Sequence, residues 1–266
     1  VGATDELRDV AVSVAKEAAA LALSARPDAI HDVGTKSSKT DVVTAADLAV
    51  ERLVRTRLAA LRPGEPVYGE ETGGATAAPG QVTWVTDPID GTVNYLYGYP
   101  WYAVSLAAQI DGVSVAAAVV EPATGRCWTA IRGGGAWLDG RPLRVTAAAS
   151  LDVSLVATGF GYQAARRERQ AAGVAKLLPM VRDIRRAGAA SLDLCAVAAG
   201  WVDGYFEHGL SRWDWAGGAL VAEEAGAVVH RPGESDALGQ DMTFCAAPGI
   251  ADELRSALKK CGLTDL

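Results

Sequence analysis

An α+β or layered α/β sandwich is the fold class this sequence predicts, and three observations carry it. Tyr102 to Ile131 is a series of β-rich apolar runs separated by turn signals, Asp111-Gly112 and then Pro122 to Gly125, which reads as an antiparallel meander. From Val153 onward, strand-like and helix-like runs alternate. No internal repeat and no long linker separates the two patterns. The expected organisation is one domain over residues 1–266, antiparallel-rich to about 145 and βα-alternating from about 146, with a site where the halves meet.

Taken in order, Thr4 is the expected cap of a first helix through about Leu23, with Asp5 and Glu6 in its first turn and Arg26-Pro27 closing it. Gly34 to Asp41 (GTKSSKTD) reads as a mobile loop. Thr44 then caps a second helix to about Leu61, which places Asp47 and Glu51 on one face. Pro66 to Gly69 is a short strand ending at Glu70 and Glu71, Gly73 to Gly80 a surface loop, and Gln81 to Thr86 a buried strand. After the meander, Gly133 to Gly135 and Asp139-Gly140 are turns. The second half reads as strand Val153 to Thr158, helix Ala164 to Leu178, strand Asp183 to Arg186 and helix Ala190 to Ala199. Strand Val202 to Glu207, helix Trp213 to Ala225, strands Ala227 to His230 and Thr243 to Ala246, and helix Ile250 to Lys260 complete it.

Composition narrows the function classes. Half the residues are hydrophobic and 21% are charged, the balance of a globular enzyme. A formal net charge of −7 argues against a general nucleic-acid binder, although bound cations can reverse the sign of a local site. Four widely spaced cysteines form no CxxC pair, so no zinc or redox motif is visible. Lys16 and Glu17 interrupt the most apolar N-terminal stretch and no run is long enough for a membrane span, so no membrane partner is expected and the cytoplasm is the expected location.

The chemistry concentrates in Trp84 to Thr92, WVTDPIDGT, where an apolar strand is expected to deliver Asp87 and Asp90 into one turn. Two like charges about 4 Å apart at an effective dielectric near 20 repel by roughly 4 kcal/mol, so the pair must hold protons or bind a cation. Glu70 and Asp214 stand at comparable positions, one ending a strand and one opening an apolar helix. Each alone reads more readily as a strand-end, turn or capping residue. Four together, with no matching His or Cys set, suit Mg²⁺ or Mn²⁺ rather than zinc. Gly91-Thr92 opens a short helical segment through Asn94 whose amides suit a phosphate.

These stretches resemble the inositol monophosphatase family, a lithium-sensitive, magnesium-dependent phosphatase superfamily. The likeness rests on Asp47 in TAAD, GEE at 69–71, DPIDGTVN at 87–94 and WDWAGGALVAEEAG at 213–226. It implies an alternating α-β-α-β-α sandwich, two or three Mg²⁺ per site, inhibition by Li⁺, and a homodimer. Glu70, Asp87 and the Ile89 carbonyl are the implied holders of one metal, and Asp87, Asp90 and Asp214 of a second. Glu70 also helps place the attacking water, and Thr92, bonded to Asp47, is the implied partner in activating it. For the substrate the resemblance implies Asp90, Gly91, Thr92, Gly188, Ala189, Ala190, Glu207 and Asp214. Ala189 departs from relatives that place a hydroxyl residue there.

The expected reaction is Mg²⁺-dependent hydrolysis of myo-inositol monophosphate by a metal-activated water, since a phosphate dianion repels nucleophiles unless its oxygens are neutralised. No Ser-His-Asp or Cys-His set is evident for a covalent route. The alternatives are the same chemistry on histidinol phosphate, fructose 1,6-bisphosphate or adenosine 3′,5′-bisphosphate, and, from another class, a regulatory protein that binds RNA or the transcription apparatus on the same fold. Tyr95 to Tyr102 reads as packing or a subunit contact, Arg166, Arg167 and Arg169 as a solvated face, and Arg185 and Arg186 as structural ion-pair partners. Lys36 falls in a loop that the family places near its metals, and His31, His208 and His230 lack metal spacing.

Overall fold

The computed structural model describes residues 2–29, 33–36, 42–234, 236–264 and 266. Two large sheets and three helical layers alternate, and the side-chain period of each strand explains why. In β5 (Ala103–Ile110), Val104, Leu106 and Ala108 pack with the first two helices, while Ala103 and Ala107 face the opposite way. The outer helices are α1 (Ala3–Ala29) and α2 (Ala45–Leu61). Ala11, Val14, Ala15, Ala18 and Ala22 form the buried stripe of α1, spaced at helical period and small enough for close contact with the sheet.

The first sheet has the order β3 (Val67–Gly69), β4 (Val82–Asp90), β5, β6 (Val113–Val120), β7 (Cys127–Ile131), β8 (Gly135–Leu138) and β9 (Arg141–Pro142). All its neighbours are antiparallel except β3 and β4, which run parallel and therefore end side by side. Asp111 and Asp139 take positive φ before Gly112 and Gly140, closing two tight hairpin turns as their sequences require. Trp84 and Trp128 are fully buried in this layer, each with its indole N–H donated to a carboxylate, Glu65 for Trp84 and Glu121 for Trp128.

The second sheet is mixed, in the order β11 (Asp183–Arg185), β10 (Leu155–Thr158), β12 (Gly204–His208), β14 (Met242–Ala246) and β13 (Val228–His230). Between the sheets lie α5 (Ala190–Ala198) and α6 (Arg212–Glu224), and beyond the second sheet lie α4 (Ala164–Leu177) and α7 (Ala251–Cys261). Alternation again sorts the faces: Tyr205 and Cys245 meet α5 and α6, whereas Phe206, Phe244 and Ala246 meet Leu254 and Leu258 of α7. The four cysteines are buried free thiols. No helix among the described residues is long and apolar enough to cross a membrane.

Several expected boundaries shift for physical reasons. The first helix starts at Ala3 rather than after a Thr4 cap, because the Gly2 carbonyl accepts the Asp5 and Glu6 amides. It runs through Pro27 to Ala29, and Arg26 secures its end by donating to the carbonyls of Tyr95 (2.6 Å) and Leu96 (3.2 Å). Strand β4 runs on to Asp90 instead of stopping at Thr86, so Asp87 and Asp90 lie on the strand, not in a turn. A bulge between them sets Asp87 opposite Ser105 and Asp90 opposite Ala103 and leaves the N–H-less Pro88 outside the ladder. Strand β10 begins only at Leu155, after a 3-10 turn at Leu151–Val153, and β12 covers Gly204–His208. The expected Gly34 to Asp41 loop is flanked by two short antiparallel strands, β1 (Val33–Thr35), which takes in its first two residues, and β2 (Val42–Thr44), which follows it. His31 and the Ser37 to Asp41 part of that loop lie outside the described residues.

Candidate active site

The C-terminal ends of β3 and β4, the C-terminal end of β12 and the N-termini of α5 and α6 converge on a cavity of about 910 Å³. Glu70, Asp90, Gly91, Thr92, Glu207 and Asp214 line it. Asp87, Asp90 and Asp214 present carboxylate oxygens that all lie within 4.8 Å of one another. Asp87 and Asp214 are each anchored through one oxygen and Asp90 through both. Asp87 Oδ1 accepts the Ile89 amide at 3.0 Å, and Asp214 Oδ2 accepts the Ser211 amide at 2.6 Å in a capping box at the start of α6. Asp90 is held across the sandwich by the amides of Ala190 (3.2 Å) and Ser191 (2.7 Å) and by the Ser191 hydroxyl.

Burial raises all three carboxyls, and neighbouring carboxylates add to it, Glu207 and Glu70 in the case of Asp90. Asp90 is pushed from 3.8 to about 7, against the pull of the Ser191 hydrogen bonds. Asp87 and Asp214 rise well above the usual carboxylate range, chiefly through burial, with Glu70 and Asp90 the leading charges acting on Asp87 and Asp90 and Glu70 those acting on Asp214. Glu70 sits on the cluster's edge, with Oε1 2.7 Å from the ammonium of Lys36, which also lies 2.6 Å from Glu71. A converging, oxygen-only donor set has the chemistry that a hard divalent ion requires. The residues therefore fit the metal that the sequence implied.

Thr92 begins α3 (Thr92–Tyr97), which extends three residues beyond the expected Asn94. Gly91 caps it with φ 88°, a left-handed conformation in which a side chain would be strained. The Thr92 hydroxyl stands 3.0 Å from the Ile89 carbonyl and 3.3 Å from Asp47 Oδ1. Asp47 lies fully buried on α2, bonded through Oδ2 to the Thr44 amide (2.8 Å) and hydroxyl (2.6 Å). Burial outweighs those bonds and lifts its pKa from 3.8 to about 6. Asp47, Ile89 and Thr92 thus share a single junction beside the acidic cluster.

On the far wall, Glu207 is half-buried and accepts the Tyr205 hydroxyl at 2.7 Å. Burial raises its pKa, while Tyr205 and the nearby Arg186 charge oppose the shift. Gly188 and Ala190 line the cavity. Ala189 differs from the expected contact: it is 1% exposed and packs beneath Gly91, so its small side chain supports the floor without reaching the cavity.

Some contributors take roles that the motifs do not indicate. Asn94 donates to the carbonyls of Trp101 (2.7 Å) and Ala187 (2.9 Å), tying α3 to the Gly188 loop. Gly159 leaves room for the Glu207 carboxylate, which a Cβ at that position would overlap. Arg166 and Arg167, expected on a solvated face, line the cavity instead, and Arg166 pairs with Asp241. Arg185 does form the expected ion pair, with Asp183 at 2.6 Å, while Arg186 turns to the cavity. Within the aromatic stretch, Tyr95 and Tyr102 pack edge to face in the core, and Tyr97 and Tyr99 are exposed. The amphipathic periods that predict elements give no sign of these contacts, because each depends on the partner brought up from elsewhere in the chain.

A five-layered sandwich that gathers carboxylates at strand and helix ends beside a cavity of this size defines a metal-dependent phosphatase class of protein. Comparison with known proteins gives the family. The description "Inositol monophosphatase family" matches residues 3–262. The chain is 50% identical to the Inositol-1-monophosphatase of Mycobacterium leprae over 96% of its own length and 94% of the relative's. It is 38% identical to a protein of Salmonella typhimurium named Nus factor SuhB, over 88% of this chain and 91% of that one. The solved structure of Mycobacterium tuberculosis SuhB superposes with a TM-score of 0.84 at 45% identity, covering 97% of this chain and 98% of that one. The chain belongs to the inositol monophosphatase family.

Proposed function

We propose that the protein hydrolyses myo-inositol monophosphate to inositol and phosphate with Mg²⁺ as cofactor. The observation that carries this reading is the convergence of Asp87, Asp90 and Asp214 within 4.8 Å in a chain half identical to a protein named for that activity. Glu70, Asp87, the Ile89 carbonyl, Asp90 and Asp214 hold two or three ions, with Mn²⁺ a substitute and Li⁺ an inhibitor. Bound there, the ions supply charge neutralisation for the phosphoryl oxygens and lower the pKa of the attacking water. Within the chain, the Thr92 hydroxyl and Asp47 receive and hold the proton released beside Thr92 Oγ1, a role suited to a carboxyl whose pKa burial sets near 6. Gly91 and Thr92 orient the phosphate, and Glu207 accepts hydrogen bonds from hydroxyls of the alcohol at the opposite wall. The protein is proposed to work in the cytoplasm as a homodimer.

A phosphate-release panel with inositol 1-phosphate, histidinol phosphate, fructose 1,6-bisphosphate and adenosine 3′,5′-bisphosphate tests the substrate. Inositol 1-phosphate is expected to be turned over best, with loss of activity in lithium. Preference for another ester would replace the substrate while keeping the chemistry. A second reading, a regulatory protein that binds RNA on the same fold, is favoured by the name of the Salmonella relative. Salt-dependent RNA binding without phosphate release would establish it in place of the first.

A further inference from the structure

Beneath Glu70 lies a buried carboxylate that no site motif includes. Glu51 follows Asp47 by one helical turn on α2 and is 0% exposed. Its oxygens take up both amides of the turn after Glu70: Oε2 accepts the Glu71 amide at 2.7 Å and Oε1 the Thr72 amide at 3.1 Å. The Thr72 hydroxyl donates to the same Oε1. Arg55, one further turn along α2, donates to Glu51 from Nε at 2.9 Å and reaches past it to the carbonyls of Val67 (2.9 Å) and Gly73. The turn itself is closed by paired 3.0 Å bonds between Gly69 and Gly73. At Gly69 a Cβ would stand 2.6 Å from the Glu51 carboxyl, so the glycine keeps the space that the clamp occupies.

We propose that Glu51 is a positioning residue for metal binding, holding the Glu70 to Thr72 turn so that the Glu70 carboxylate faces Asp87. The inference rests on the reading of Glu70 as a metal ligand. A charged acceptor taking several donors fixes the inner residues of a turn whose own backbone bonds join only Gly69 and Gly73. A neutral amide at the same position keeps the volume, but its nitrogen faces the Glu71 amide in one orientation, or the Thr72 amide and Arg55 Nε in the other, donor against donor.

The test is calorimetric titration of metal-stripped protein with Mn²⁺, alongside thermal unfolding without metal and the KM for inositol 1-phosphate. Glu51→Gln is expected to weaken Mn²⁺ binding about tenfold, within the range that supporting residues of metal sites carry, with KM changed less than twofold at saturating metal. Gly69→Ala pushes on the same carboxylate without altering it and is expected to weaken Mn²⁺ comparably. Thr72→Val removes one donor and is expected to cost about threefold, which keeps the test open should Glu51→Gln fail to fold. Unchanged Mn²⁺ affinity in Thr72→Val and Gly69→Ala, with only the melting temperature lowered, would make Glu51 a structural residue and overturn the proposal. Glu70→Gln separates the two levels. If it weakens Mn²⁺ and the Glu51 variants do not, the positioning role alone fails, and if it leaves Mn²⁺ binding intact, the ligand reading fails with it.

Discussion

Replacing Asp87 by Asn should stabilise the metal-free protein while removing its activity. Asp87 uses Oδ1 to accept the Ile89 amide, and that bond survives in Asn, whose amide nitrogen takes the place of the other oxygen. What disappears is a charge facing two others within 4.8 Å. At that separation and an effective dielectric near 20, each pair repels by roughly 3.5 kcal/mol. The two pairs sum to about 7 kcal/mol if every group is ionised, and proton uptake by the cluster relieves roughly half of this. A gain of about 2–4 kcal/mol is expected at pH 8, which for a chain of this length is a rise of about 5–10 °C in melting temperature. The assay is scanning calorimetry in chelator, repeated in millimolar-range Mg²⁺. The wild type should gain stability from Mg²⁺ by mass action and the variant should not, so the two curves exchange order. A metal-free Asp87→Asn protein that melts at or below the wild type would refute the reasoning that the cluster stores repulsion for a cation.

The other expectations concern pH, Lys36 and the far wall. Asp90 is folded with a pKa near 7 against 3.8, so between those values the native state holds a proton that the unfolded chain has released. Stability of the metal-free protein therefore falls as pH rises through that window, by up to roughly 4 kcal/mol for this group, and Mg²⁺ should flatten the profile in chemical denaturation. A metal-free profile that climbs from pH 5 to 8 would contradict this. Lys36 places its ammonium 2.7 Å from Glu70, so Lys36→Gln should tighten Mg²⁺ binding several-fold at low ionic strength, with the difference shrinking in salt. Calorimetry at two salt concentrations reads both effects, and weaker binding in the variant would reverse the assignment. Glu207→Gln keeps the volume of a side chain that accepts the Tyr205 hydroxyl at 2.7 Å, and it should raise KM for inositol 1-phosphate about tenfold while Mg²⁺ affinity stays constant. Steady-state kinetics over a metal titration distinguish that from a loss of metal.

Asp87, Asp90 and Asp214 could be read in the sequence because each stands where an apolar run meets a turn or a helix start, a local pattern. The layers could be read for a similar reason, since the period of β5 or β12 sorts residues to two faces before any neighbour is known. Strand β4 outruns its sequence signal because Pro88 normally ends a ladder, and only the partner strand reveals that a bulge absorbs it. Pro27 misled in the same way, since the carbonyls that Arg26 finds in the last turn of α3 come from almost seventy residues away. Glu51 and Arg55 gave no signal beyond a shared helix face. Their function lies in backbone amides and carbonyls of a turn, and backbone groups are identical at every residue. Ala189 was assigned to the substrate by position in a motif, whereas the packing of Gly91 against it turns it into floor.

The central claim is that the acidic cluster works by holding divalent cations for phosphate ester hydrolysis. Phosphate release from inositol 1-phosphate, measured over a Mg²⁺ titration of metal-stripped wild type and of Asp214→Asn, tests it most directly. Asp214 sits in the cluster with one oxygen committed to the Ser211 amide at 2.6 Å, so Asn preserves the α6 cap and removes a ligand. The account predicts no turnover in chelator, full recovery with Mg²⁺ in the wild type, and a fall of about a thousandfold or more in the variant despite an intact fold. Hydrolysis by the wild type in chelator, or near-normal turnover in Asp214→Asn, would contradict it.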